Sequence, residues 1–196
     1  IFSLIIVIIT TTGFKKKKSL RVGFIMTGTT TEQGWNKLHY DGIKEACDQL
    51  DAKLLVKENI KENEGQCEQA VHDLAEERVD IIILSSYGYA AEIADITKDY
   101  PDITFYSESF DHGVTNIKSY FARMYQARYL TGIIAGMQTK SNTIGYVAAM
   151  ANSEVNRGIN AFTLGVQRVN PDAKVIVAWS NSWDDADREK KLAASL

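Results

Sequence analysis

Two tryptophans in this 196-residue chain are the residues best suited to hold a flat ring. Trp35 follows Gly34, just after the apolar run 22–25 and a polar loop. Trp183 stands in Asn-Ser-Trp-Asp-Asp, just after the apolar run 175–179. Each therefore lies beyond the carboxyl end of an expected strand, where open α/β sheets hold their ligands. An indole in that position either caps the core beneath its loop or presents a flat stacking wall. Two such walls, one from each half of the chain, could close on a planar ring like plates. Stacking of that kind contributes about 1 kcal/mol beyond area burial. Polar groups at neighbouring strand ends would then select the edges of the ring. The candidates are Asn36 beside Trp35, Ser86 and Tyr87 in the loop 85–89, and Glu108 after the apolar run 103–106. Each also has a plainer role: Ser86 as a helix cap, Tyr87 as packing, Glu108 as a solvated loop residue. Glu154, in the first turn of a later helix, complements the helix dipole with or without a ligand. Asn160 on the same helix poses the same question.

Signatures of bond-making chemistry are absent from the sequence. It has no GxxxxGK[ST] and no GxGxxG. Ser85 and Ser86 lack the GxSxG context of a nucleophile elbow. Glu108 has no evident partner for acid–base work. His39 and His72 fall on expected helices, on faces read as solvated, and His112 falls in a turn. With Cys47 and Cys67 they form no metal-ligand spacing, so neither metal nor cofactor is expected. The net charge is −3, and more negative once the lysines at 15–18 are set aside. Such an acidic body argues against a nucleic-acid partner.

The positioning elements follow from hydrophobic period. Strands are expected at 22–25, 52–56, 79–84, 103–106 and 114–120, with helices between them. Asn63 with Gln66 reads as a capping box for the second helix, and Pro101 stops the third. Right-handed crossovers then give a doubly wound parallel sheet in the order 2-1-3-4-5. Its crevice lies between strands 1 and 3, bordered by the Trp35 loop and the loop 85–89. Helices one and two fall on opposite faces, which separates Cys47 from Cys67 and argues against a disulfide. A second α/β series follows: a helix at 124–139, a strand at 143–148 and a helix at 153–169 capped by Asn152 or Ser153. A strand at 175–179 and a final helix capped by Asp184 or Asp185 complete it. The expected organisation is a first α/β domain at 20–121, a hinge near 120–123 and an incomplete second α/β domain at 122–196. Residues 1–9 are nearly all apolar. They are short of the ~20 needed to span a bilayer and fit the apolar core of a secretion signal, with a buried strand as the alternative. Residues 1–19 thus read as a signal or anchor with a basic tether, which implies membrane proximity and export.

The run VGFIMTG…GWN, the strand ending in SSYGY, the segment SYFARMYQARYLTGIIAGMQTKSNTIGYVAAM, and NSEVNRGINAFTLGVQRVNPDAKVIVAWSNSWDD together resemble the basic membrane protein family. These are substrate-binding proteins of ABC transporters, among them purine nucleoside receptors. The resemblance runs from about residue 21 to the end of the chain. It implies a type I periplasmic-binding-protein fold, with two α/β domains and ligand in the cleft between them. It further implies a nucleobase clamped between aromatics of the two domains, at Trp35 and Trp183, with Ser86, Tyr87, Glu154 and Asn160 beside it. Family members carry an acid for the ribose, for which Glu32 and Glu108 are the candidates. Without such an anchor, free base is favoured over nucleoside. The lipid-bearing cysteine of many relatives is not present.

The expected function is that of an exported, non-enzymatic receptor for a purine base or nucleoside, serving an ABC permease. Two rivals stand beside it. A nucleoside-processing enzyme on a doubly wound fold would need a catalytic acid–base pair or a metal. A ligand-sensing regulatory domain would be joined to a DNA-binding or signalling module.

Overall fold

The computed structural model describes residues 19–109 and 116–196. The expectations for the signal segment, the lysine tether at 15–18 and His112 lie outside the described residues.

The first α/β unit comprises β1 (Arg21–Ile25), α1 (Trp35–Gln49), β2 (Lys53–Lys57), α2 (Gln66–Glu76), β3 (Ile81–Leu84), α3 (Tyr89–Ile93), β4 (Thr104–Glu108) and β5 (Ile117–Tyr120). Its strands pair in parallel in the order β2-β1-β3-β4-β5, as the crossover argument predicts. Phe24, Ile82, Leu84 and Phe105 are wholly buried in this sheet. Val71 and Leu74 of α2 and Ile93 of α3 close one face over Ile82, Leu84 and Phe105, while Phe24, one residue out of phase with Ile25, points to the other face. Burial on that scale, at about 25 cal/mol per Å² of apolar surface, fixes the register from which the site loops emerge.

The second unit comprises α4 (Met124–Gln138), β6 (Thr143–Ala148), α5 (Ser153–Val169), β7 (Lys174–Trp179) and α6 (Ala186–Ser195). β6 and β7 pair in parallel. α4 and α5 cross backbone to backbone. A Cβ on Gly132 would stand 2.0 Å from the Phe162 carbonyl oxygen, and one on Gly165 would stand 2.1 Å from that of Tyr129, so the crossing requires glycine. Asn152 caps α5, its Oδ1 accepting from Val155 N at 3.0 Å. Asp185 caps α6 through Arg188 N at 2.9 Å.

Four local expectations are corrected. The capping box of Asn63 and Gln66 does not form: α2 begins at Gln66 behind Gly65, with no side-chain cap. Glu92 of α3 supplies the acceptor instead, taking Asn63 N at 2.8 Å and Cys67 N at 3.1 Å. A tertiary carboxylate has displaced the local amide. The helix expected to run to Tyr100 breaks into α3 and a 3-10 turn, Ile96–Asp99. The histidines are not simply solvated. His39 packs 4.4 Å from the Trp35 ring, and burial lowers its pKa. His72 Nδ1 is hydrogen-bonded to Tyr100 Oη. Finally, β4 extends through Glu108, which places that residue in the sheet rather than in a solvated loop. Cys47 and Cys67 are both free and buried, and burial raises the pKa of each thiol.

Candidate functional site

The loop after β1 is held from within. Glu32 Oε2 accepts from Thr29 N and from Asn36 Nδ2, each at 3.1 Å, and Thr27 Oγ1 donates to Asn36 Oδ1 at 3.3 Å. Gly34, at φ 93° and ψ −131°, takes a turn that an L side chain resists and makes Trp35 the first residue of α1. The indole is 41% exposed, so it does not cap the core beneath its loop. Its Nε1 donates to the Ser85 carbonyl oxygen at 2.8 Å, which stands the ring at the switch point between β1 and β3.

The loop after β3 is held by Glu62, a residue with no sequence signature. Glu62 Oε1 accepts from Ser86 Oγ and from Gly88 N. Ser86 therefore serves this carboxylate, and α3 has no side-chain cap. Glu62 Oε2 accepts from Trp183 Nε1 at 3.1 Å, which joins the two units. Tyr87 joins them again, its Oη 3.3 Å from Ser153 Oγ. Trp183 is 39% exposed, like its counterpart.

Glu108 lies at the end of β4 with 2% of its surface exposed. Its carboxyl is hydrogen-bonded to that of Glu154, in the first turn of α5. Burial, then the charges of Glu154 and Glu62, push its pKa up to about 9, against a smaller pull from Arg157. Two carboxyls so joined hold a proton between them. Glu108 thus has the carboxylate partner that the sequence did not reveal. Burial and the same Glu108 raise the Tyr120 phenol on β5.

These groups surround a cavity of about 320 Å³. Trp35, Asn36, Ser86, Tyr87, Glu108, Glu154 and Trp183 all line it. Asn160 does not: it is exposed, on a part of α5 turned away from the cavity. Glu32 and Asp184 add two more carboxylates to the lining, which among the described residues contains no lysine or arginine. A second cavity of about 340 Å³ shares Trp35, Glu154 and Trp183 and adds Phe121, Tyr125, Arg128 and Arg157. Among the described residues no group of His, Cys, Asp and Glu could hold a metal ion. Acceptor-rich walls between two indole faces suit a planar ring with N–H donors on its edge.

The family model described as ABC transporter substrate-binding protein PnrA-like matches residues 19–196. The chain belongs to that family. This agrees with the resemblance to the basic membrane proteins drawn from the sequence. A relative from Brucella abortus, named a purine-binding protein, is 34% identical over 92% of this chain and 52% of its own length. Another, from Haloferax volcanii and named for ABC-transporter glucose binding, is 32% identical over 94% of this chain and 47% of its own. The chain thus spans about half the length of these relatives. A solved ABC-transporter solute-binding protein of Aeropyrum pernix superposes with TM-score 0.74 at 18% identity, over 90% of this chain and 51% of that one. At that identity the likeness carries the fold alone: doubly wound α/β units of the type I periplasmic-binding-protein kind.

Proposed function

We propose that this chain is the ligand-binding portion of an exported ABC-transporter substrate-binding protein that holds a purine base or nucleoside between Trp35 and Trp183. The observation that carries the reading is the placement of the two indoles. They come from separate units, line one cavity, and have their N–H groups pinned by Ser85 and Glu62. With both N–H donors spent, the indoles present ring faces to a ligand. The volume suits a base or a compact nucleoside. The carboxyl groups of Glu32, Glu108, Glu154 and Asp184 suit amino and ring N–H groups, and the charged ones among them repel phosphate, which favours base or nucleoside over nucleotide. We read residues 20–121 and 122–196 as the two lobes, with the hinge near 120–123. Closure around the ligand would then present a surface to the permease. Among the described residues no helix is long and apolar enough to cross a membrane.

The Haloferax relative's name supports a second reading, in which a sugar lies between the indoles and its hydroxyls meet the same acids. Thermal unfolding with adenine, guanosine, inosine, AMP and glucose separates the two. A site saturated at 100 times Kd stabilises the protein by about 2.7 kcal/mol. The expected result is a shift with one or more of the unphosphorylated purines and none with AMP or glucose. A shift with glucose alone, or with none of the five, overturns the purine reading. Recovery of the nucleoside unchanged after incubation is also expected. Its conversion to free base would favour the nucleoside-processing alternative.

A further inference from the structure

Trp35 is backed by an imidazole that lines neither of the two cavities it borders. His39, one turn further along α1, has its ring centre 4.4 Å from that of Trp35, with the planes at 46°. The same ring lies 6.2 Å from that of Tyr120, at 58°. His39 Nδ1 stands 3.0 Å from the Trp35 carbonyl oxygen, which can only accept, so the neutral ring carries its proton on Nδ1 and donates it there. Tyr120 is the last residue of β5 and leads into the segment read as the hinge. Its Oη donates to the Leu84 carbonyl oxygen at 3.2 Å, and Trp35 Nε1 donates to the next carbonyl, that of Ser85. The two aromatic side chains that touch His39 are thus anchored to consecutive peptide groups at the end of β3. Phe121, the residue after Tyr120, lies under the Arg157 guanidinium of α5 at 5.9 Å.

His39 is half-buried in an apolar groove between α1 and the sheet, to which β1 and β3 contribute Val22, Ile81 and Ile83. The titratable groups lining that groove are Tyr106 of β4, Tyr120 of β5 and Cys47 of α1. Lys118 Nζ of β5 stands 5.5 Å from the centre of the Tyr106 ring. Glu108, opposite Tyr120 in the register of β4 and β5, holds its proton up to about pH 9. Burial raises both the Cys47 thiol and the Tyr120 phenol. None of these groups offers an imidazolium a negative charge between pH 5 and 8. Burial accordingly lowers the His39 pKa from 6.5, against a smaller pull from the Trp35 carbonyl.

We propose that His39 is a positioning residue for the ligand wall: held between Trp35 and Tyr120, it sets the tilt of the indole and couples that tilt to the strand that enters the hinge. This rests on the reading of Trp35 as one wall of a purine site. An aromatic contact of this kind is worth about two- to tenfold in an equilibrium constant. The neutral ring supplies it. The imidazolium does not, because a charge without a counter-ion in an apolar groove is drawn out to water and takes the backing of Trp35 with it. Affinity is then full above pH 6.5 and falls as pH drops through the lowered pKa of His39.

Two measurements test this, one with ligand and one without. Trp179→Phe with Trp183→Phe leaves Trp35 as the only tryptophan of the chain. An imidazolium quenches a neighbouring indole more than the neutral ring does, so the emission of that protein should fall between pH 8 and 5 with a midpoint below 6.5. His39→Phe keeps a flat ring without a proton and should remove the titration. Should the single-tryptophan protein fail to fold, the difference in emission between the three-tryptophan protein and its His39→Phe variant gives the same curve. Calorimetric titration with adenine, guanosine and inosine at pH 7.5 and 5.5 supplies the second measurement. The purine that binds at pH 7.5 should bind about threefold or more weakly at pH 5.5. His39→Phe should keep the affinity of pH 7.5 at both values, and His39→Ala should weaken binding about two- to tenfold at pH 7.5. A titration of emission or of affinity that persists in His39→Phe, or undiminished binding by His39→Ala, would overturn the role of His39 and leave the purine reading standing. Binding of none of the three purines would overturn that reading, while the emission curve still decides whether His39 holds Trp35.

Discussion

Trp183 Nε1 donates to Glu62 Oε2 at 3.1 Å, a hydrogen bond between residues 121 positions apart in the chain. The same carboxylate takes Ser86 Oγ and Gly88 N through its other oxygen. One side chain therefore sets the loop after β3 and the indole of the opposite unit together. Any ring that enters the cleft meets a Trp183 face whose orientation the first unit decides.

Removal of that carboxylate should be felt in both units. Glu62→Ala leaves three donors without their acceptor. Because buried donors so stranded cost about 1–3 kcal/mol each, a partly exposed set like this should cost about 2 kcal/mol in unfolding free energy. Trp183 should also become more accessible to acrylamide. Denaturant unfolding and fluorescence quenching measure the two effects. Unchanged quenching would show that Glu62 does not hold the indole.

The two tryptophans should contribute separately to affinity. Stacking and lost apolar area together put the cost of each truncation at about 1.5–3 kcal/mol. Trp35→Ala and Trp183→Ala should each weaken binding of a purine by at least about tenfold, with little change in thermal stability because both rings are substantially exposed. Trp35→Phe should recover part of the loss. Equilibrium titration of the three variants checks this.

Glu108 makes stability depend on pH in a stated direction. Its pKa rises from 4.5 to about 9 on folding, so over that interval the native protein holds a proton that the unfolded chain has lost. Stability is then fully present near pH 4.5 and below, and falls as pH rises towards 9. The slope from this group is at most about 1.4 kcal/mol per pH unit. Glu108→Gln should flatten that part of the profile. Urea unfolding at pH 5, 7 and 9 measures it, and parallel profiles for the two proteins would contradict the assignment.

The cap of α5 offers a local test. Asn152→Ala removes the acceptor for Val155 N and should cost about 1 kcal/mol, whereas Asn152→Gly should cost only a few tenths. Glu154, two residues on, occupies the first turn of the same helix, so a frayed cap should also lower ligand affinity.

Much of the framework was legible because it is encoded locally. The continuous apolar run of β3 and the alternation of strands and helices led to the sheet order without further information. Asn152 and Asp185 announced their helices by residue type and position. Trp35 and Trp183 stand out in the sequence because each follows a strand, and both line the cavity. What escaped was long-range. No spacing links Glu62 to Trp183, and nothing in the neighbourhood of Glu108 names Glu154 as its partner. The Asn63 and Gln66 box had the right letters, yet Glu92 lies close enough in space to take Asn63 N, the donor meant for Gln66, together with Cys67 N. Asn160 stands six residues beyond Glu154, about 120° round the helix from it, and it does not line the cavity.

The central claim is that a planar ring lies between Trp35 and Trp183. Calorimetric titration of the protein and of the variant with both tryptophans replaced by alanine, against one purine, tests it most directly. The account predicts saturable binding at a single site in the first and none detectable in the second. Equal affinity in the two proteins would contradict it, because the ring would then be held somewhere other than between these indoles.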